Sequence, residues 1–384
     1  MKKIVAVISA AVCFISMEAS AAYADEVEVS AKAAVVISAD TGELVFSENS
    51  GEKLPMASTT KIMSALLCLE SGDLYEPFVV DSEAIKVEGS SMGLQEGDIV
   101  TKYALVCGML LPSGNDAANA AAVKIAGSIE AFAELMNDRA RKMGLSKTYF
   151  VTPSGLEGVG HGSSAEDMAI LAAEALKNDL FREICSSTTM KLEYGNPPYT
   201  RYLKNTNKLL TMCEGVYGVK TGFTDEAGRC LVSACERDGK RLICVTLNAP
   251  DDWNDHIRLY EDSFKRVKAE KPCIPCEMYV NLAGSYKAAL PVKAADEDIA
   301  DFTVYRKNTE NFTYTVSAPP FVYAPITAGD YAAELIISDN GRELTRLPLY
   351  AAEDAEIKQP ESKNNEKSGN FISKVKDIFS KWKK

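Results

Sequence analysis

The chain has 384 residues, 46% of them hydrophobic, and a formal charge of −12. That is apolar content enough for a sizeable core and length enough for two domains, so a disordered or fibrous chain is excluded. The acidic balance repels phosphates and argues against a nucleic-acid partner.

At the N-terminus, Lys2 and Lys3 precede an apolar run at 4–15 and small residues ending in Ala22-Tyr23-Ala24. This pattern predicts a secretory signal peptide over 1–24, with a run too short to span a bilayer comfortably, and places the mature chain outside the cytoplasmic membrane. Short β-type runs at 34–37 and 43–46, split by Asp40-Thr41-Gly42, predict a hairpin at one edge of a sheet. From Ser58 the period changes, and Ile62, Ala65, Leu66 and Leu69 predict a helix that stops at Gly72. Further helices are expected over 103–111, ended by Pro112, over 117–126 with Asp116 as its cap, and over 129–143, ended by Gly144. Strand character returns at 217–224, 230–235 and 242–247, the last two joined by Arg237-Asp238-Gly239-Lys240. Five strands in hairpins with helices inserted between them predict an α+β domain over 25–270, an antiparallel five-stranded sheet covered by helices.

Lys271 to Pro275 reads as a boundary, and β-type runs at 302–305, 312–316 and 332–337 predict a small β-rich domain over 276–352. Residues 353–369, rich in Glu, Lys, Asn and Ser, read as a solvated linker. Over 370–384, Phe371, Ile372, Val375, Ile378, Phe379 and Trp382 share one helical face while lysines lie mostly elsewhere. This predicts a helix lying on an anionic membrane surface, in preference to a frayed tail docked on its own protein. The cysteines left after Cys13 departs with the leader are scattered and read as buried apolar residues. Cys273-Ile274-Pro275-Cys276 has metal or redox spacing, but no second such pair or nearby His completes a site, so a local disulfide or two free thiols is expected.

Ser58-Thr59-Thr60-Lys61 opens the first predicted helix, and residues three apart share a helix face, so the Lys61 amine can reach the Ser58 hydroxyl. A neutral amine at that place can take the proton that makes serine nucleophilic. The pattern alone is weak, because it recurs at 50–53, 373–376 and 380–383, where a capping serine and a solvated lysine explain it. Two further elements change the reading: Ser113-Gly114-Asn115 in the break between two helices, and Lys220-Thr221-Gly222 in a strand that opens a hairpin.

In that order, the three elements resemble the motifs of penicillin-binding proteins and serine β-lactamases. The text around them, at 57–63, 110–117 and 218–222, resembles specifically the low-molecular-mass D-alanyl-D-alanine carboxypeptidases, and the similarity covers about residues 30–350. The resemblance implies their transpeptidase fold, with Ser58 as nucleophile, Lys61 as base and Ser113 as proton relay to the departing amine. It implies that Asn115 orients the substrate amide, that Lys220 and Thr221 hold the terminal carboxylate, and that Gly222 lets the strand approach closely. The backbone N–H groups of Ser58 and Phe223 would form the oxyanion site. The implied substrates are peptidoglycan stem peptides ending in D-Ala-D-Ala, with β-lactams as covalent inhibitors and no metal or organic cofactor. For Lys61 to be neutral near pH 7, burial and the second cation Lys220 must lower its pKa.

Three decoys fail on context. Ser338-Asp339-Asn340 and Lys367-Ser368-Gly369 match later motifs without the helix-initiating serine in their own domain. Gly89-Ser90-Ser91-Met92-Gly93 matches a nucleophile elbow without the strand and helix such an elbow needs, and only His161 and His256, read as ordinary loop or surface histidines, could serve it. The rivals are a serine β-lactamase using Glu157, Glu166 or Asp167 to activate water, a catalytically idle β-lactam or peptidoglycan sensor, and a D,D-endopeptidase with the same chemistry.

Overall fold

The computed structural model describes residues 27–156, 158–295, 304–306, 312–339 and 341–359. The expected signal peptide, the tail at 370–384, most of the linker, and Glu157 lie outside the described residues. Elements are numbered in chain order.

Strand β1 (Ala33–Ser38) is buried along its whole length, and its alternate side chains enter different cores. Ala33, Val35 and Ile37 join a large core with the helices, whereas Ala34 and Val36 join a smaller one on the other face. Successive side chains of a pleated strand point to opposite faces, so an unbroken apolar run requires cover on both sides. Strand β2 (Leu44–Glu48) returns beside it. The short strands β3 (Phe78–Val79) and β4 (Ile99–Val100) pair with each other, as do β5 (Thr189–Gly195) and β6 (Pro198–Lys204). Strands β7 (Val216–Thr224), β8 (Gly228–Arg237) and β9 (Lys240–Leu247) complete the expected five-stranded antiparallel sheet in the order β2-β1-β9-β8-β7. The β8–β9 turn puts Asp238 and Gly239 at φ 51° and 76°, the paired left-handed conformations of a tight two-residue hairpin. Because β7 ends the order, one of its edges has no strand partner among the described residues.

Helix α1 (Lys61–Glu70) follows a 3-10 turn at Ala57–Thr60 and buries Ile62, Met63, Ala65, Leu66 and Leu69. Helix α2 (Lys102–Leu110) is capped by Thr101, whose hydroxyl accepts from Ala104 N. Helix α3 (Asn115–Ala126) starts two residues before its predicted beginning, with Gly114 at its cap. Asp116 is therefore not the cap; it lies inside the first turn, and its carboxylate serves another purpose described below. Helices α4 (Ile129–Lys142), α5 (Ala165–Ala175) and α6 (Asp179–Ser186) contribute Phe132, Leu171 and Phe181 to the large core. The one-turn α7 (Leu209–Met212) leads to β7, and α8 (Asp252–Arg266) covers the opposite face of the sheet with Leu259 and Tyr260. Among the described residues, no helix is long and apolar enough to cross a membrane.

Strand β10 (Lys268–Glu270) pairs with β13 (Val304–Arg306), so the described part of the run expected at 302–305 belongs to a separate two-stranded ribbon. Strands β11 (Met278–Ala283), β12 (Ala289–Ala294), β14 (Thr313–Ser317), β15 (Val322–Tyr323), β16 (Tyr331–Asp339) and β17 (Arg342–Ala351) form one sheet around Leu290, Leu335, Ile337 and Leu349. The start of the predicted linker is also tied to this sheet: Ala355 exchanges backbone hydrogen bonds with Ile326, and Lys358 N donates to Gly284 O. Polar composition reports that side chains are solvated, and is silent on backbone pairing.

Candidate active site

The 3-10 turn lifts Ser58 to the end of α1 with Lys61 one turn on, and Lys61 Nζ lies 2.8 Å from Ser58 Oγ. Lys61 is fully buried and also contacts Asn115 Oδ1 at 2.7 Å and Ser154 O at 2.5 Å. The Asn115 amide is oriented by its Nδ2, which donates to Glu88 O at 2.7 Å, so its oxygen must face the lysine. Burial first, and then the charge of Lys220, push the Lys61 ammonium well below the ordinary lysine range; Asp116 opposes them. A neutral amine has two hydrogens and one lone pair. Asn115 Oδ1 and Ser154 O can only accept, so they take both hydrogens, and the lone pair is left for the Ser58 hydroxyl to donate into. The arrangement is that of a serine beside a base poised to remove its proton.

Asn115, the residue expected to orient the substrate amide, stands beside Lys61. Its amide oxygen is taken by Lys61 and its nitrogen by Glu88 O, so in this structure it holds the lysine.

Ser113 occupies the break between α2 and α3 with φ 66°, a left-handed conformation unusual for a residue with a Cβ. The break is fastened by Gly114 N to Gly108 O at 2.8 Å and by Asn115 N to Ser90 O at 2.7 Å. On β7, Lys220 is 1% exposed, and burial lowers its pKa to about 7. Its Nζ donates to Thr221 O at 2.7 Å, and the Thr221 hydroxyl lies 2.8 Å from that of Thr206. A Cβ at Gly222 would stand 3.0 Å from Met56 O and 3.1 Å from Ser58 N, so a side chain there would crowd the serine turn and glycine eases the close passage of β7. Phe223 is 62% exposed at the cleft rim. Ser58, Ser113, Thr221, Gly222 and Phe223 line one open cavity of about 680 Å³. A cavity of about 790 Å³, lined by Asp40, Arg182, Tyr217, Arg241 and Glu343, holds none of the candidate residues.

Several contributors escaped sequence reasoning. Asp116 accepts from Ser91 Oγ and from the backbone N–H groups of Met92, Gly93 and Leu94, which fastens the 91–94 loop beside the break. Ser91 is therefore a donor to a carboxylate in a loop, not a nucleophile at an elbow. Gly155 has φ 86°, and a Cβ there would meet Ala57 O at 2.0 Å, so this glycine permits the loop carrying Ser154 O to lie beneath the serine turn. The Pro153-Ser154-Gly155 run was the available signal. Arg229, Asp252 and Trp253 complete the cavity wall, with Arg229 Nε donating to Asp252 at 2.9 Å. His161 sits in a loop as expected, half-buried beside Thr60 and Val151, which engage its two ring nitrogens. His256 departs from the expected loop or surface placement: it is wholly buried under the sheet, because Ser233 and Thr246 supply hydrogen-bond partners for both ring nitrogens. Glu166 is hydrogen-bonded to Ser50, and Asp167 accepts from Lys147 N and Thr148 Oγ1.

Residues 18–251 match the family described as D-alanyl-D-alanine carboxypeptidase, Peptidase S11. The chain is 32% identical to the D-alanyl-D-alanine carboxypeptidase DacF of Bacillus subtilis, over 92% of this chain and 90% of that protein. Among solved structures, the Streptomyces K15 DD-transpeptidase superposes with a TM-score of 0.60 at 28% identity, covering 62% of this chain and 99% of that one. The carboxypeptidase DacD of Francisella tularensis gives 0.59 at 25% identity, covering 87% and 95%. Fold, motif order and sequence similarity agree, and the chain belongs to the D-alanyl-D-alanine carboxypeptidase family of peptidases.

Proposed function

We propose that this peptidase removes the terminal D-alanine from peptidoglycan stem pentapeptides through an acyl-enzyme on Ser58. The observation that carries the reading is the Lys61 environment, where two obligate acceptors take the amine hydrogens and leave its lone pair to the Ser58 hydroxyl. Ser58 Oγ attacks the carbonyl of the penultimate D-alanine while its proton passes to Lys61. The oxyanion sits between the N–H groups of Ser58 and Phe223, each donor contributing about 3–4 kcal/mol. The C–N bond breaks as Ser113 relays a proton to the leaving amine, and water then hydrolyses the ester. Lys220 and Thr221 hold the free carboxylate, which accounts for a preference for chain ends. We further propose that the mature chain acts outside the cytoplasmic membrane, held to it by residues 370–384.

β-Lactams would acylate the same serine. Intact-mass and peptide mapping of the protein lacking residues 1–24, after benzylpenicillin, should give one adduct, on Ser58, and none in Ser58→Ala. Release of D-alanine from a pentapeptide ending in D-Ala-D-Ala completes the test. A folded protein labelled on Ser91, or unlabelled, would overturn the site, an adduct without D-alanine release would indicate a sensor, and turnover of the penicilloyl ester within milliseconds would indicate a β-lactamase.

A further inference from the structure

Most buried cysteines here are inert thiols. Burial pushes Cys68, Cys107 and Cys185 up to about 12 and Cys230 up to about 11, where the nucleophilic thiolate is scarce. Cys213 and Cys235 are different in their surroundings. Cys213 follows α7, and Cys235 lies on β8 opposite Val216. Both sulfurs approach the same carbonyl, Glu214 O, Cys213 Sγ at 4.0 Å and Cys235 Sγ at 3.5 Å. Arg237 Nη2 donates to Cys213 Sγ at 3.1 Å. The 213–216 turn is held over β8 by Glu236 N to Gly215 O at 2.9 Å, and a Cβ at Gly215 would come within 3.2 Å of Cys235 Sγ.

From this cluster we infer that Cys213 and Cys235 are a redox-active dithiol, a modification site that takes low-molecular-mass disulfides and closes to an intramolecular disulfide. The neighbouring Cys235 thiol and the Arg237 guanidinium hold the Cys213 thiol below the ordinary thiol range against the effect of burial, and Cys235 moves the other way. Cys213 is 7% exposed and Cys235 wholly buried, so the incoming disulfide meets Cys213 first. The Cys213 thiolate attacks one sulfur of RSSR, forming Cys213–S–SR and expelling RS⁻, which is protonated to RSH by the proton Cys213 had released. Cys235 then attacks Cys213 Sγ, closing the Cys213–Cys235 bond and expelling the second RS⁻, which takes the Cys235 proton. The dithiol loses two electrons and RSSR becomes two RSH. The closed bond would tie the entry of β7, the strand that carries Lys220, to β8.

The test uses the full mature chain carrying Cys273→Ser and Cys276→Ser, since those two cysteines are exposed and would react independently. The folded, reduced protein is treated with oxidised glutathione and mapped by tryptic mass spectrometry. The expected product has lost two hydrogens and links the peptide containing Cys213 to that containing Cys235, with fragmentation excluding Cys230. Adding Cys235→Ser should trap the glutathione adduct on Cys213, and adding Cys213→Ser should abolish both products. A pair that stays reduced while the fold persists, a glutathione adduct on Cys213 that does not close when Cys235 is present, or a bond to another cysteine overturns the inference.

Discussion

Two serine-centred clusters lie on opposite faces of the central sheet. At one, Ser58 meets Lys61 at the edge of an open cavity; at the other, Ser233 on β8 lies 2.7 Å from His256 Nδ1 and 2.6 Å from the Tyr260 hydroxyl on α8. Both pair a hydroxyl with a nitrogen base, and both bases are pushed toward the neutral form by burial, His256 down to about 3. They differ in access. Ser233, His256 and Tyr260 are wholly buried, and Thr246 Oγ1 occupies the second imidazole nitrogen at 3.0 Å, so the cluster satisfies its own polar groups and has no room for a reactant. A serine and a base at hydrogen-bond distance thus make a candidate site only where one side of the hydroxyl opens to a cleft and an electrophile's oxyanion can find donors.

The sharpest way to break this contrast is to remove each serine in turn. Ser58→Ala should lower kcat for D-alanine release by about 10⁴-fold or more, as loss of a nucleophile does, with little change in the thermal midpoint. Ser233→Ala should do the reverse, leaving steady-state kinetics within a few-fold while costing about 1–3 kcal/mol in denaturant unfolding, because His256 and Tyr260 lose a buried partner. Comparable activity losses in both variants would erase the distinction. Lys61→Met should follow, lowering kcat by about 10²–10⁴-fold, with acylation by benzylpenicillin slowed in parallel.

Asp116→Asn tests the floor of the cleft. It weakens the carboxylate that holds Ser91 Oγ and three N–H groups of the 91–94 loop, and a loss of about 1–3 kcal/mol in stability is expected. It also removes a negative charge that favours protonated Lys61, so the Lys61 pKa falls further and the acid limb of the activity profile moves to lower pH. An acid limb that stays in place would detach Lys61 from that limb.

The pH profile of the unaltered enzyme sharpens the roles of the two lysines. Lys61 must be neutral, so kcat/KM should fall as pH drops through its depressed pKa. Lys220 must be charged to hold a carboxylate, so kcat/KM should also fall as pH rises through about 7. Bound substrate brings a negative charge to Lys220, so the alkaline limb of kcat should lie above that of kcat/KM. The sealed cluster gives a stability readout instead of a kinetic one. His256 has its folded pKa depressed to about 3, so its burial carries no cost above the unfolded value of 6.5 and a growing one below it. Stability should therefore decline from pH 6.5 toward pH 3 by about 1.4 kcal/mol per pH unit from this histidine, and His161, depressed to about 4, adds to the slope over its upper part. Urea titrations at stepped pH measure it, and a flat response would place a protonated imidazole inside the core.

Much of the molecule was legible in advance because its signals are local. Alternation and turn residues marked β7, β8 and β9, helical spacing marked α1, and the order of three short motifs pointed to the family. The misses came from contacts that no short window contains. Asp116 looked like a helix cap because it precedes an alanine-rich run, but its carboxylate reaches a loop more than twenty residues upstream. His256 read as an ordinary loop or surface histidine, yet it turns under the sheet and is satisfied by Ser233 and Thr246. The run at 302–305 had strand character, but nothing in it named β10 as the partner of its described part.

By itself, then, the sequence determined the hairpin strands of the central sheet, the first four helices and the residue types available for chemistry, since periodicity and turn preference are properties of neighbouring residues. Only the tertiary structure decided what those residues are. Lys61 and Ser154 are 93 positions apart, and Lys220 stands on a different element again. Burial, the nearby cation and two obligate acceptors make the amine neutral and aim its lone pair, and such electrostatics depend on distances through space that a linear order does not contain.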